Sequence, residues 1–391
     1  MKSIHFNRLT LARPMSDFST LLFQKQSKNQ FGEDKIFFSK GRDALMAGLD
    51  FIGLKAGDNI IIPAFMCEST ITPLRDFGYK LAFLDVDRNL NFDVSELSNL
   101  AKNCNARAIL AIHYFGFPCN ITEIYELCLS LDIKLIEDRS HSFFSLENDI
   151  KTKEKSDIII YSLRKNLPIR DGGCLKLSKN LKVSKKICIN QHPRMYLMDF
   201  IYLLSRLVEL IVSRLGWPNI YSERVETLKN YVRLKLSSSE SQKKYEGKKV
   251  KSPSVLLSKY LSNAYYLKKT QDVLIRNYTY ITRSASEMGL QIQYLYLPEN
   301  TVPQWAVLRD ETGELVEEFR RNGVGACRWP GPELIPEVSP LDDKFPNTKL
   351  FNRELSLIPI HQSLGDKDIS NIISILREFV KKNPRLRDNS S

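Results

Sequence analysis

Residues 107–138, RAILAIHYFGFPCNITEIYELCLSLDIKLIED, decide the fold class of this chain. The apolar run RAILAIH (107–113) has the length of a buried strand, and KLIED (134–138) is a second run of the same kind. Between them, ITEIYELCLSL (121–131) has the apolar spacing of a helix. A strand, a helix and a strand in this order predict a parallel pair joined by a right-handed crossover.

The same alternation continues on both sides of this unit. Further strand-like runs are DKIFF (34–38), NIIIP (59–63), KLAFLDV (80–86) and DIIIYS (157–162). Helical spacing appears in ALMAGLDFIGL (44–54) and STITPLRDFG (69–78). We therefore predict an α/β fold with a mostly parallel central sheet and helices on both faces. Such sheets bind ligands at the carboxyl ends of their strands, so the residues after each run are the candidates for chemistry.

The length of the chain favours two domains or a large one with an appendage. We predict a large domain over residues 1–255, with a helical insertion at about 190–250, and a smaller C-terminal α+β domain over 256–391. A final helix is expected at 368–382. The long apolar stretch 197–218 carries several charges; burial against the protein is favoured over a position on a membrane surface.

Composition narrows the class of protein. The chain has 391 residues, a net charge of +12 and seven cysteines without metal-type spacing, which suggests reduced thiols in a cytoplasmic protein. The N-terminus lacks the apolar region of a secretory signal, and no run is long and apolar enough to span a bilayer. The positive charge predicts attraction to polyanions or phosphorylated small molecules, but no nucleic-acid-binding motif is present.

Polar residues follow several of the predicted strands. Ser39–Arg42 precede a helix, whose free N–H groups could hold an anion; the alternative is a plain strand-to-helix turn. Glu137 and Asp138 end the strand KLIED, where one carboxylate could face a positively charged ring nitrogen; the alternative is a solvated turn. His141, three residues further on, is more often structural than catalytic when taken alone.

Lys165 has a more informative position. It lies just beyond the buried run DIIIYS and before the pair Gly172 and Gly173. A lysine at such a place can be desolvated, lose its proton more easily and form an imine with an aldehyde.

The order and spacing of these pieces resemble the DegT/DnrJ/StrS-type sugar aminotransferases, which use pyridoxal 5'-phosphate and have the aspartate-aminotransferase fold (fold type I). The similar segments include FFSKGRDALMAGLDFIGLKAGDNIIIPAF, KLIEDRSHSF, YSLRKNLPIRDGG, RNGVGACRWPGP and SLIPIHQSL. The similarity runs from about residue 37 to 181 and resumes weakly from about 252.

The resemblance implies roles for individual residues. Lys165 matches the lysine that forms a Schiff base with the cofactor and later moves a proton. Asp138 matches the carboxylate that keeps the pyridine nitrogen protonated, and Ser162 matches a hydroxyl that contacts the phosphate. Gly41 and Arg42 match the turn that supplies N–H groups to the phosphate.

Other positions match less well. His141 stands where a glutamine commonly contacts the cofactor's phenolic oxygen. Arg42 replaces a threonine, and Cys67 stands where an aromatic ring often stacks on the cofactor, a role we assign to Phe65. The segment by which a partner subunit usually reaches the phosphate is replaced by YEGKKVKSPSVLL, in which Lys248, Lys249 or Lys251 could supply the charge.

The resemblance implies amino transfer from an amino acid, with glutamate expected, to a nucleotide-linked keto-sugar in polysaccharide or amino-sugar biosynthesis. It also implies a homodimer. Three alternatives stay open: a sugar dehydratase built on the same scaffold, a non-catalytic or regulatory protein that binds the cofactor, and a basic polyanion-binding protein that shares only the fold. A dehydratase of this type has histidine in place of the lysine, so Lys165 argues against that alternative.

Overall fold

The computed structural model describes residues 35–145, 155–167, 169, 171–178, 267–331, 334–336, 338 and 343–384. The predicted insertion at 190–250, its helix 197–218, the three lysines proposed for the phosphate (248, 249 and 251) and the domain boundary at 255/256 lie outside these residues.

A seven-stranded sheet forms the centre of the N-terminal part. Its strands are β1 (Lys35–Phe38), β2 (Asn59–Pro63), β3 (Lys80–Leu84), β4 (Ala106–Ile112), β5 (Lys134–Asp138), β6 (Ile158–Ser162) and β7 (Gly173–Leu177). Their order across the sheet is β1-β7-β6-β5-β4-β2-β3. Only β7 runs against the others, since it pairs antiparallel with both β1 and β6. The predicted mostly parallel sheet is confirmed.

Helices cover both faces of this sheet, as predicted. They are α1 (Gly41–Phe51), α2 (Glu68–Phe77), α3 (Val94–Asn103) and α4 (Ile121–Leu131). Because side chains alternate along a strand, Ile60 and Ile62 pack in the core under α1 and α2, whereas Ile61 packs with α3 and α4 on the other face. Three consecutive isoleucines thus fill two cores, which explains why the sequence of β2 is apolar throughout.

The C-terminal part forms a smaller antiparallel sheet with helices. Its strands are β8 (Gln291–Ile292), β9 (Trp305–Arg309) and β10 (Leu355–Pro359), in the order β10-β9-β8. Its helices are α5 (Leu267–Glu287), α6 (Leu315–Arg321), α7 (Pro346–Glu354) and α8 (Asp366–Lys382). The strongly amphipathic sequence of α8 buries one face against this unit, which confirms the predicted final helix.

The two parts are joined by specific contacts. Asp85, just after β3, accepts hydrogen bonds from the backbone N–H groups of Asn347 (2.8 Å) and Thr348 (2.9 Å) at the start of α7. A carboxylate at a helix N-terminus satisfies otherwise unpaired N–H groups and faces the positive end of the helix dipole. This cap holds the C-terminal unit against the large sheet. In the part of the chain that the structure describes, none of the helices combines the length and apolarity that a bilayer span requires.

Candidate active site

The strand pairing brings the ends of β1 and β6 to the same edge of the sheet. Gly173, the first residue of β7, lies between Phe38 at the end of β1 and Ser162 at the end of β6. The anion-type turn after β1 and the lysine-bearing turn after β6 are therefore neighbours, although more than a hundred residues separate them in sequence.

The glycine pair before β7 makes this approach possible. A Cβ on Gly173 would collide with the carbonyl of Lys40 and lie 2.8 Å from the backbone nitrogen of Gly41. Gly172 has a positive φ of 146° and donates its N–H to the carbonyl of Ser39 at 2.9 Å. Only glycine adopts this backbone without strain, so the pair fixes the turn against the end of β6.

A cavity opens at this edge of the sheet. Six of the seven predicted site residues line it: Gly41, Arg42, Asp138, His141, Ser162 and Lys165. The structure therefore places these six residues together at the carboxyl ends of the strands.

Asp138 reaches the cavity because it is the last residue of β5. The backbone N–H of Ser140 donates a hydrogen bond of 2.8 Å to its Oδ1, which orients the carboxylate. The carbonyl of Asp138 accepts a hydrogen bond from the N–H of His113, which continues the pairing with β4 by one residue. A carboxylate held in this way can face a cationic ring nitrogen.

Lys165 ends a short 3₁₀ turn, Leu163–Lys165, that follows β6 directly. Its Nζ lies 2.9 Å from Nε2 of His141. His141 is almost fully buried, and its ring stacks on Phe115 with centroids 5.6 Å apart. Burial, and then the charge of Lys165, hold the pKa of His141 well below its usual range. The imidazole is therefore neutral near pH 7 and can exchange a hydrogen bond with the lysine amine.

Positive charge gathers on the side of the cavity formed by α1. Lys40, Arg42 and Arg164 all line it, and among the described residues no side chain caps the N-terminus of α1. Burial and the nearby charge of Arg42 lower the pKa of Lys40, with a smaller contribution from Arg164. Three cations beside a helix N-terminus form a site for a phosphate or another anion.

The structure corrects the prediction for Phe65, which does not line the cavity. Its side chain is fully buried and packs edge-to-face on Trp329, with centroids 4.8 Å apart. Phe65 precedes α2 by three residues, where the chain turns into the core, whereas Cys67 remains at the cavity wall. Phe65 therefore supports the cavity from behind and cannot stack on a ligand there.

Sequence reasoning gave no role of their own to several cavity residues, among them Lys40, Ser140, Arg164 and Trp329. Lys40, Ser140 and Arg164 lie within one residue of a predicted site residue, so the motifs already contained their signal. Trp329 comes from the C-terminal part, between α6 and α7, and its ring lies edge-on to His141 with centroids 5.2 Å apart. Only the segment RNGVGACRWPGP pointed to it.

Glu137 points away from the cavity, on the opposite face of β5 from Asp138. It is fully buried and accepts hydrogen bonds from His113 Nε2 (2.7 Å), Arg139 Nε (2.6 Å) and Ser156 Oγ (2.6 Å). Burial alone would raise the pKa of Glu137, but the Arg139 guanidinium and the contact with His113 lower it to about 2. The carboxylate is ionised and satisfied, and it stabilises the sheet.

The cavity residues fit pyridoxal 5'-phosphate. The cradle between Gly173 and the N-terminus of α1, with its three cations, suits the phosphate, and Asp138 supplies an anion for the ring nitrogen. Lys165 provides the amine, and Ser162 a hydroxyl. Within the described residues, no cluster of three or more histidine, cysteine or acidic side chains is placed to hold a metal ion.

A mostly parallel sheet with a lysine after one central strand and a carboxylate at the end of its neighbour is the arrangement that the resemblance to pyridoxal-phosphate enzymes of fold type I implies. The model of the DegT/DnrJ/EryC1/StrS aminotransferase family matches residues 23–196 of this chain. The resemblance inferred from the sequence motifs is thereby confirmed. Members of this family use pyridoxal 5'-phosphate as their cofactor.

Similar proteins include both aminotransferases and dehydratases. A GDP-4-keto-6-deoxy-D-mannose 3-dehydratase of Escherichia coli O55:H7 is 28% identical over 44% of this chain and 47% of its own length. A dTDP-4-dehydro-2,3,6-trideoxy-D-glucose 4-aminotransferase of Saccharopolyspora spinosa is 21% identical over 93% of this chain and 89% of its own. This chain therefore matches about half the length of the first relative and most of the second.

Solved structures share the fold. A putative sugar aminotransferase from Streptococcus pneumoniae, in its PMP form, superposes with a TM-score of 0.66 at 12% identity, covering 98% of this chain and 100% of that one. At this identity the likeness establishes the fold alone.

Proposed function

We propose that the protein is a pyridoxal-phosphate-dependent aminotransferase that moves an amino group from glutamate to a nucleotide-linked keto-sugar. One observation carries the proposal: Lys165, Asp138, Ser162 and the N-terminus of α1 converge on one cavity. Each supplies a different part of the chemistry, and the strand ends of a single sheet bring them together. The family match and the nucleotide-sugar relatives support the substrate class.

The cavity residues divide the work between holding the cofactor and moving protons. The phosphate would be held by the N–H groups of Gly41 and Arg42, by the Ser162 hydroxyl and by the guanidinium groups that line the cavity. When bound, pyridoxal 5'-phosphate supplies a reactive aldehyde and an electron sink. Asp138 would keep the ring nitrogen protonated, because a carboxylate beside that atom favours its charged form.

Lys165 is the candidate for proton transfer. Its Nζ can take the proton from the α-carbon of the amino donor and later deliver a proton to the sugar carbon that receives nitrogen. His141 holds that Nζ at 2.9 Å without adding a charge of its own. This contact keeps the lysine amine in one position within the cavity.

The first test is the visible absorption spectrum of the purified protein with added pyridoxal phosphate, before and after glutamate. We expect a yellow band that glutamate bleaches and that is absent from Lys165→Ala. Ser69→Ala, at the rim of the same cavity, is the matched control and should keep both the band and the bleaching. A wild-type protein that gains no band would overturn the proposal.

Sugar dehydration is the second candidate, because the first of the relatives above is a 3-dehydratase. The presence of Lys165 argues for amino transfer, but His141, with its Nε2 2.9 Å from the Lys165 amine, places a histidine beside it. Product analysis separates the two reactions. Amino transfer yields an amino-sugar and 2-oxoglutarate in equal amounts, whereas dehydration yields a deoxygenated sugar without net nitrogen transfer.

A non-catalytic protein that binds the cofactor would show the yellow band without bleaching by glutamate. The same spectrum therefore decides between this alternative and an enzyme. Assembly as a homodimer is part of the proposal as well, and light scattering of the purified protein tests it.

A further inference from the structure

The contacts of His141 fix the position of its single proton. Burial is the main reason why the pKa of His141 lies well below its usual range, so the imidazole carries one proton whether or not Lys165 is charged. Its Nδ1 lies 3.5 Å from the backbone nitrogen of Phe115, and its Nε2 lies 2.9 Å from Nζ of Lys165. Turning the ring over would place carbon atoms at both positions and lose both contacts, so these two ring atoms are the nitrogens.

The backbone of Phe115 decides which nitrogen carries the proton. A backbone N–H can only donate, so Nδ1 of His141 accepts and has no hydrogen of its own. The proton of the neutral ring therefore lies on Nε2 and points at Nζ of Lys165. An ammonium group has no lone pair to accept it, whereas a neutral amine has one and keeps two N–H groups for other partners. The contact is consequently a hydrogen bond from the imidazole to a neutral amine.

Phe115 presents this N–H because its backbone is held in an unusual conformation. Its φ of 56° and ψ of 20° lie in the left-handed region, which residues other than glycine rarely adopt. The residue is fully buried, and its ring stacks on His141 with an angle of 12° between the two planes. Strained residues persist only where the surrounding structure fixes them, and they cluster at functional sites. We therefore connect the strain at Phe115 with the placement of His141.

The C-terminal part supports this arrangement at both ends. Gln304, just before β9, donates its backbone N–H to the carbonyl of Phe115 at 2.7 Å and its Nε2 to the carbonyl of Lys165 at 3.2 Å. Gln304, Phe115, His141 and Lys165 thus form a closed circuit of hydrogen bonds. Every donor in this circuit faces an acceptor only if the lysine amine is neutral.

The charges around the cavity favour the same state of the reactive lysine. Lys40 and Arg42, at the start of α1, and Arg164, beside the lysine, are cationic. Among the described residues, Asp138 is the one carboxylate that lines the cavity, and the thiol of Cys67 is the remaining titratable group. Nearby like charges disfavour an ammonium group, and the neutral amine is the form that attacks an aldehyde.

We propose that His141 donates from Nε2 to Lys165 and holds its amine in the neutral, nucleophilic form, with Phe115 and Gln304 as positioning residues that act through this contact. The inference rests on the proposed function only in taking Lys165 as the amine that meets the cofactor. It adds that docking of the C-terminal part prepares the lysine before any ligand arrives.

The proton on His141 can be observed directly by NMR. The chain has five histidines, so protein labelled with nitrogen-15 in histidine alone gives few signals. The signals of His141 are those that disappear in His141→Gln. Correlation of ring hydrogens with ring nitrogens over two bonds distinguishes the two tautomers. We expect the hydrogen on Nε2 and none on Nδ1; the reverse would overturn the proposal.

The state of Lys165 is measured by competitive acetylation. The full chain, freed of bound aldehyde with hydroxylamine and desalted, receives a trace of acetic anhydride at a series of pH values, and mass spectrometry quantifies each labelled lysine. Because only a neutral amine reacts, the labelling follows the neutral fraction. Labelling of Lys165 should reach its plateau by about pH 9. A yield that still rises roughly tenfold per unit above that pH would show a protonated lysine and contradict the proposal.

His141→Leu removes the donor and leaves a buried side chain in its place. The labelling profile of Lys165 should move by about one pH unit to higher pH, which corresponds to the loss of one hydrogen bond. A lysine that instead donated to His141 would lose an acceptor, and its profile would move to lower pH. That result, or an unmoved profile, would overturn the proposal. His141→Gln can donate through its amide and should keep the wild-type profile.

Gln304→Leu tests the positioning role, and it serves as well if His141→Leu does not fold. It removes the bond to the Lys165 carbonyl and should shift the profile in the same direction, by about half a pH unit. Gln271→Leu is the matched control, because Gln271 also donates to a backbone carbonyl of the large unit at 3.2 Å, that of Phe144, outside the circuit. The control should not shift the profile. Equal shifts in the two variants would show that Gln304 acts only by joining the two parts. Labelling of Lys102, exposed on α3, should be the same in every variant.

The absorption spectrum keeps this result separate from the proposed function. Acetylation and NMR need no cofactor, so a wild type without a yellow band would end the proposed function and leave the state of Lys165 to be decided by these measurements. If the band forms and glutamate bleaches it while the profile of Lys165 is that of a protonated amine, amino transfer stands and the role assigned to His141 is wrong.

Discussion

Glu137 and Asp138 are adjacent carboxylates on the same strand, and they have opposite surroundings. Glu137 is buried in a network with His113, Arg139 and Ser156, whereas Asp138 faces the cavity with a backbone N–H as its fixed partner. The alternation of side chains along β5 sends one to each face of the sheet. Each carboxylate has a histidine on its side of the sheet. His113 contacts Glu137, and His141 lines the cavity together with Asp138.

The difference shows how one strand end serves stability and chemistry at once. Every oxygen of Glu137 is satisfied by the protein, which lowers its pKa to about 2 and leaves it no capacity for a ligand. Asp138 lines the cavity and keeps an oxygen for one. Changes at the two positions should therefore affect different properties of the protein.

Glu137→Gln should have the largest effect, and the effect should be on stability. Removing the charge breaks the buried ion pair between Glu137 and Arg139, which costs about 3–5 kcal/mol. Urea unfolding followed by circular dichroism measures the loss. The cofactor band per folded molecule should stay that of the wild type, and Glu123→Gln, in the first turn of the helix α4, is the control for a harmless change. A variant as stable as the wild type would show that the network does not hold the sheet.

Asp138→Asn should have the opposite effect: the reaction with glutamate should slow, and the stability of the fold should stay the same. The side chain keeps its size but loses the charge that would face the ring nitrogen, so the rate of bleaching by glutamate should fall by roughly 10²–10³-fold. The unfolding midpoint should stay within about 2 °C of the wild type, a shift below ~1 kcal/mol for a chain of this size. Stopped-flow absorbance gives the rate. If Asp138→Asn is instead much less stable than the wild type but reacts with glutamate at the wild-type rate when folded, Asp138 is the stabilising carboxylate and not the reactive one.

Much of this arrangement follows from the sequence. The alternation of strand and helix predicts the sheet, and the order of the motifs predicts that Gly41, Asp138, Ser162 and Lys165 meet, because parallel strands end at one edge. The period of a strand also predicts that only one of the two carboxylates enters the site. Which of them does so came from the family resemblance.

The remainder depends on contacts between distant parts of the chain. Trp329 lies more than 180 residues from His141, and no local pattern indicates that their rings meet. The prediction for Phe65 failed for a related reason, since its sequence spacing from β2 does not reveal that the chain turns inward at that point. The hydrogen-bond network around Glu137 likewise includes Ser156, which lies just before β6 and not on β5.

The pH dependence of stability sharpens the comparison of the carboxylates. The pKa of Glu137 is lowered to about 2 in the fold, against roughly 4.3 in an unfolded chain. The unfolded state therefore binds a proton first, and the contribution of Glu137 is complete above pH ~4.3 and lost as the pH falls towards 2. Unfolding free energy of the wild type should fall more steeply than that of Glu137→Gln between pH 4.5 and about 2.5. Parallel curves would mean that Glu137 is not an ionised partner of Arg139.

His141 gives the smallest and most specific test. Burial and Lys165 depress the pKa of His141, so the fold excludes a proton that the unfolded chain accepts below pH ~6.5. Stability should therefore decline as the pH falls from 6.5 to 5, by at most ~1.4 kcal/mol per pH unit, and His141→Gln should remove that part of the slope. The glutamine keeps a hydrogen-bonding group near Lys165, so the yellow band should persist in the variant, measured at pH 8. An unchanged slope in His141→Gln would show that this imidazole takes up its proton in the fold as readily as in the unfolded chain, and the neutral contact with Lys165 would then have to be abandoned.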